Sequence, residues 1–280
     1  MRRFLTISLL NINEAQLTIN VLEKLAHLSA HTWSVQLIVV DNGSYPDQVQ
    51  QLLEWFSATK HQFEEVIFLA SSSNLGSTGG RNAALKLASG DNVLILDNDV
   101  ILPDDPHWLE TLWNWLEEYP EVGLVGPMLV FANHPNIVQV AGIGLTDRGR
   151  VGYLNRAQHI DTLPPTPAQV VASPAACWLL RRKAQQEVGL FSEEFYPVQY
   201  EDVDLCVRLG LVGWKIICDR SIRIQHIENV TTRNLKDHPF ARMTVKHGMQ
   251  FREKWADFLP KIATIVDKDI YWGPIPNDQA

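Results

Sequence analysis

Short apolar runs alternate with helix-spaced apolar positions through the first third of the chain. Residues 4–10, 35–40, 66–69 and 93–102 are the runs, the last interrupted only by Asp97-Asn98-Asp99. Runs of this kind predict strands buried on both faces. Between them, Leu17, Val21, Leu22, Leu25 and Leu28 recur at helical spacing over 14–28. Residues 49–56 and 82–88 read as two further helices, the second closed by Gly90. Strand alternating with helix is the pattern of an α/β domain with a largely parallel sheet.

The later chain is more mixed. Residues 107–119 predict a helix whose Trp108, Trp113 and Trp115 supply core contacts, and 122–131 an apolar strand. Residues 141–154 read as a hairpin turning near Asp147-Arg148-Gly149. Residues 159–169, with Pro164, Pro165 and Pro167, read as a mobile loop that orders over bound substrate. A strand is expected over 175–180, a short helix over 183–188 closed by Gly189, and a helix from Asp202. Two strands, 214–218 and 222–227, and a final helix over 239–255 complete the pattern; the tail after Tyr271 should be loosely held.

Polar clusters follow the first four strands directly, at 11–14, 41–44, 74–81 and 97–99. In open α/β sheets, ligands sit outside those carboxyl ends. Side chains alternate along an extended chain, so Asp97 and Asp99 are expected on the same side of a strand. Two carboxylates ending a buried strand are costly unless a cation meets them. A hard divalent ion carrying a phosphorylated ligand would do so.

Composition narrows the class without changing it. The chain has 280 residues, 46% hydrophobic and 20% charged, with a formal net charge of −8. That balance offers no broad basic face for nucleic acid. Cys177, Cys206 and Cys218 lack metal-ligand spacing and read as reduced core thiols. Met1-Arg2-Arg3 and the apolar stretch after it imitate a signal peptide, but the stretch runs straight into Asn11-Ile12-Asn13-Glu14 and reads as a first strand. No stretch approaches the ~20 apolar residues of a membrane span, so a cytoplasmic protein is expected.

Four segments together resemble family 2 glycosyltransferases. They are Val40-Asp41-Asn42-Gly43-Ser44, Asn74-Leu75-Gly76 through Gly79-Gly80-Arg81-Asn82, Leu96-Asp97-Asn98-Asp99-Val100, and Tyr200-Glu201-Asp202-Val203-Asp204-Leu205. The resemblance covers roughly residues 4–230 and implies a GT-A fold, a mostly parallel central sheet flanked by helices. It implies a GT-A domain over 1–230, with a nucleotide-sugar half (1–103) and an acceptor half (104–230), followed by a helical extension and tail (231–280). It further implies that Asp41 hydrogen-bonds the nucleotide base and that Arg81 and the preceding glycine-rich turn lie beside base and diphosphate. Asn11, Asn74 and Gly76 join them in the donor site. Asp97 falls near ribose and metal, Asp99 and His226 on the metal, and Asp202, beside Glu201, is the catalytic base. Ile12 stands where such proteins often carry an aromatic residue that stacks on the base.

The reaction so implied is metal-dependent (Mn²⁺ or Mg²⁺) inverting transfer from a nucleoside-diphosphate sugar, UDP first, to a glycan or glycolipid hydroxyl. Asp204 is expected to pair with Arg208 one turn on. The basic residues of the final helix read as a solvated face, with peripheral contact at the inner face of a membrane as the alternative. A sugar-phosphate nucleotidyltransferase or a non-catalytic nucleotide-binding module are the competing readings. Gly76-Ser77-Thr78-Gly79-Gly80 does not fit the dinucleotide fingerprint of an oxidoreductase.

Overall fold

Four apolar strands set the frame. In the computed structural model, which describes residues 3–26, 33–227, 240–271 and 273–275, they are β1 (Arg3–Asn11), β2 (Trp33–Asp41), β3 (Glu65–Ala70) and β4 (Asn92–Asp97). They lie in the order β3-β2-β1-β4, all parallel. Helices α1 (Ala15–Ala26), α2 (Pro46–Thr59) and α3 (Gly76–Leu87) follow the first three. The apolar spacing in α1 buries Val21, Leu22 and Leu25 against this sheet. Strand order reverses at β1, which has β2 on one side and β4 on the other. Such a switch point opens a crevice at the carboxyl ends.

The second half extends the same sheet. Its elements are β5 (Val100–Ile101), α4 (His107–Glu118), β6 (Val122–Phe131), β7 (His134–Val140), the hairpin of β8 (Ile143–Leu145) and β9 (Val151–Tyr153), and β10 (Ala168–Val170). Then come β11 (Cys177–Arg181), α5 (Arg182–Val188), α6 (Glu201–Leu211), β12 (Lys215–His226), α7 (Phe240–Trp255) and α8 (Leu259–Ile262). Strand β11 pairs antiparallel with β4 and β6, so β6 and its parallel partner β12 run the same way as β1–β4. The core is continuous across both halves, and Phe251 of α7 belongs to it. The three cysteines are buried and unpaired, and burial pushes each thiol pKa up.

Several expectations are corrected. The run 93–102 is not one strand: β4 ends at Asp97, Asn98 and Asp99 form a turn, and β5 restarts the chain against β12. One strand, β12 (Lys215–His226), stands where two were expected over 214–218 and 222–227, with a register shift between Asp219 and Arg223. The glycine-rich segment expected as a turn is the first part of α3. Residues 159–169 are not one loop: a short 3₁₀ turn spans Ile160–Thr162, and β10 begins at Ala168 and pairs with β12. Residues 27–28 and 239, expected in helices, lie outside the described residues.

Candidate active site

The carboxyl ends of β1, β2 and β4, the start of α3, the start of α6 and the end of β12 surround a cavity of about 670 Å³. That size lies within the range of small-molecule sites. Asn11, Asn74, Gly76, Arg81, Asp97, Asp99, Glu201, Asp202 and His226 all line it. Asp41 does not. Its carboxylate is fully buried and accepts from Asn11 Nδ2 (2.7 Å), Ser44 Oγ (2.5 Å) and the Ser44 amide (3.0 Å), so it is turned into its own loop.

The turn after β4 is anchored from behind. Asn98 Nδ2 donates to Thr18 Oγ1 (3.0 Å) and lies 3.3 Å from Asn11 Oδ1, which also accepts from Thr18 Oγ1 (2.7 Å). With Asn98 pointing into the protein, Asp97 and Asp99 share the opening by turn geometry rather than by strand alternation. One ligand atom each from Asp97, Asp99 and His226 lie within 4.8 Å of one another.

The ring of His226 is oriented by β7. Gln139 Oε1 sits 2.7 Å from Nδ1 and accepts its proton. Its Nε2 lies 3.2 Å from Asp99 Oδ1. Asp99 Oδ1 is buried and has no hydrogen-bond partner. A carboxylate oxygen and an imidazole nitrogen at that distance suit two ligands of one cation, and a histidine oriented through its other nitrogen is the usual arrangement of a metal ligand. The donor set of two carboxylates and one imidazole fits Mn²⁺ or Mg²⁺.

Arg81 joins the two halves of the site. Its guanidinium donates to Asp97 Oδ1 (2.6 Å) and to Glu201 Oε1 (3.1 Å). Burial works against its charge, but these carboxylates outweigh it and hold its pKa above the ordinary range. Glu201 also accepts from Ser77 Oγ, and its Oε2 is buried without a partner. Burial, then the charge of Asp202, push Glu201 up to about 7. Burial raises Asp202 too, against the pull of Arg81 and the amides of Val203 and Ala175.

Helix α6 is entered through Gln199 (φ +83°) and Tyr200 (φ +73°), two side-chain-bearing residues in left-handed backbone. Such conformations cost free energy and cluster where a site needs the chain held in place. They bring Tyr200, Glu201 and Asp202 to the cavity wall. Of the aromatic residues preceding Asp202, Tyr200 lines the cavity, Phe195 is in the core and Tyr196 is half exposed.

The sequence reading assigned no role to Ser77, Asn98, Gln139 or Arg156. Gln139 is a lone amide between Val138 and Val140, a polar interruption that marks an inward-facing hydrogen-bonding position. Arg156 lines the cavity with its guanidinium over Phe131 (5.0 Å) and Tyr153 (5.5 Å).

A profile of the family described as Glycosyl transferase family 2 matches residues 8–189. The chain is 29% identical over 208 residues to "O-antigen biosynthesis protein RfbC" of Myxococcus xanthus, covering 70% of this chain and 15% of that one. It is 26% identical over 213 residues to "N-acetylglucosaminyl-diphospho-decaprenol L-rhamnosyltransferase" of Mycobacterium tuberculosis, covering 69% and 66%. The chain thus spans less than two thirds of either relative. Among solved structures, a mannosyltransferase (PcManGT) from Pyrobaculum calidifontis in complex with GDP-Man and Mn²⁺ superposes with a TM-score of 0.62 at 17% identity, covering 93% of this chain and 69% of that one. GalNAc-T7 with UDP, GalNAc and Mn²⁺ gives 0.69 at 13%, covering 92% and 49%. These likenesses are of fold, and the fold is GT-A.

Proposed function

The chain belongs to Glycosyl transferase family 2, and from that premise we propose that it moves a sugar, with inversion, from a nucleoside-diphosphate sugar to an acceptor hydroxyl. The observation that carries this reading is the confrontation of Asp99 Oδ1 with His226 Nε2 in the switch-point cavity. Asp97, Asp99 and His226 would hold Mn²⁺ or Mg²⁺. When bound, that ion supplies Lewis acidity toward a diphosphate leaving group.

The protein's own groups do the rest. Asp202 takes the proton from the acceptor hydroxyl as general base. Because it acts as a base and not as a nucleophile, the single displacement inverts the anomeric carbon. Glu201, held by Ser77 and Arg81, orients the acceptor beside it. Arg81 holds Asp97 in place. Asn11, Asn74 and Gly76, joined by Asn42, form the donor end. Asp41 acts there by positioning Asn11 and Ser44.

We assign the donor as a UDP-sugar and the acceptor as a glycan or glycolipid of a cell-surface polysaccharide. UDP in GalNAc-T7 supports the first, although the mannosyltransferase holds GDP-Man. The names of the O-antigen and decaprenol-linked relatives support the second. Residues 1–103 would then serve the donor and 104–230 the acceptor.

Excess EDTA is expected to abolish transfer and Mn²⁺ to restore it. Asp99→Ala should remove the Mn²⁺-dependent part of UDP binding, read by calorimetry, with the thermal midpoint retained. Full activity in EDTA would refute the reading, and tighter binding of GDP than UDP would reverse the base. Release of pyrophosphate instead of nucleoside diphosphate would make the chain a nucleotidyltransferase.

A further inference from the structure

Helix α7 has two faces with different tasks. Its inner face packs His247 and Phe251 into the protein, and Thr244 lines the cavity. A Cβ at Gly248 would stand 3.0 Å from the hydroxyl of Tyr200, so this helix backs directly onto the wall that carries Asp202. Its outer face carries Arg242, Val245, Lys246, Met249 and Arg252, all exposed. These positions fall on one side at helical spacing. Val245 is 63% exposed and Met249, one turn on, 68%.

The neighbouring turn adds charge. Gly149 lies against Arg252, which places the exposed Arg148 beside this face. Among the described residues, Asp147, Glu253 and Asp257 are the exposed acidic residues of this turn and of the helix end, and the four cations outnumber them. The chain as a whole carries −8, so this surface runs against the overall sign. Cations interleaved with protruding apolar side chains complement a bilayer bearing anionic headgroups. Lysine and arginine meet the surface potential while Val and Met enter the boundary.

We propose that the outer face of α7 docks on an anionic lipid surface. The cavity then lies one helix diameter, about 10 Å, from the bilayer, within reach of a sugar acceptor held there. This rests on the reading of a glycan or glycolipid acceptor for the placement of the cavity, but the docking itself is measured separately from transfer.

The test is cosedimentation of the full chain with vesicles of phosphatidylcholine alone and of phosphatidylcholine containing phosphatidylglycerol. Binding is expected only to the anionic vesicles and should weaken as salt is raised. Arg242→Glu with Lys246→Glu should weaken it tenfold or more, from the usual surface contribution of each cation. Val245→Ser with Met249→Ser should weaken it several-fold. Donor hydrolysis in solution should stay at the wild-type rate in both pairs, which also shows that they fold. Equal binding to both vesicle types, unchanged binding by the charge-reversed pair, or no binding at all would overturn the proposal. Retention on an acidic protein matrix with no vesicle binding would assign the face to a protein partner instead. An inactive chain that still binds anionic vesicles would count against the proposed reaction and leave the docking standing.

Discussion

Glu201 and Asp202 share one buried patch at the start of α6, with Arg81 as their nearest cation. Burial raises both pKa values, and the charge of Asp202 adds to it at Glu201, which reaches about 7. A raised carboxylate takes up its proton as pH falls through the raised value, and a protonated base cannot accept another. Transfer is therefore expected to be lost on the acid side at a pH above the ordinary aspartate range, and to recover as Asp202 ionises. Asp202→Asn keeps the shape and removes the basicity. It should cost on the order of 10²-fold or more in transfer rate, with UDP affinity nearly unchanged. Rate and nucleotide affinity measured in the same variant decide it. Near-normal transfer would displace the base, while an equal collapse in UDP binding would put Asp202 in the donor site.

Element geometry explains what the sequence could and could not reveal. The alternation of β1–β4 with α1–α3 was legible because buried parallel strands are continuous apolar runs and their helices are periodic. Strand ends pointed to Asp97, whereas the gathering of Glu201, Asp202 and His226 around the same opening was implied by the family resemblance. Asp41 was not legible in this way, because a carboxylate after a buried strand reads the same whether it faces ligand or loop. Only its bonds to Asn11 and Ser44 separate the two. The helical start of α3 was hidden because glycines argue against a helix, whereas here they permit close approach. A Cβ at Gly80 would stand 2.3 Å from Leu10 Cδ1. Gly76 has φ +68°, and its Cβ would meet the Pro197 carbonyl at 2.5 Å. Gly76→Ala is thus both strained and crowded, and should destabilise by about 1–3 kcal/mol. It should also weaken UDP binding by shifting Asn74, whose Oδ1 accepts from the Gly76 amide. A urea midpoint equal to wild type would contradict this account of the turn.

At the scale of the whole molecule, α7 packs into the same core as the elements before residue 230. Asp204 of α6 is fully buried and ties three parts together. Its Oδ2 accepts from Arg208 Nε (2.9 Å), the helical pair expected from spacing. Its Oδ1 accepts from Trp255 Nε1 (3.1 Å) and lies 2.9 Å from Lys254 Nζ, both on α7. Arg208 in turn donates to the carbonyls of Val188 and Leu190, and His247 Nδ1 donates to Val198 O. Because Thr244 of α7 and Ile270 and Tyr271 beyond it line the cavity, this clasp holds one wall of the site. Asp204→Asn leaves two cations facing a neutral amide. Breaking a buried ion pair from one side typically costs about 3–5 kcal/mol. Lys254 keeps Glu194 (3.0 Å) and some solvent, so a loss of about 2–3 kcal/mol is expected. Adding Lys254→Met should restore part of it by removing the stranded charge. A chain ending at residue 230 should fare worse, exposing Phe195 and Tyr200 where Phe251 now packs. Urea midpoints of the three variants test the scheme. If the truncated chain unfolds with the wild-type midpoint, α7 is an appendage and the site is complete without it. If Asp204→Asn alone is silent, the aromatic packing rather than the charge cluster fastens the helix.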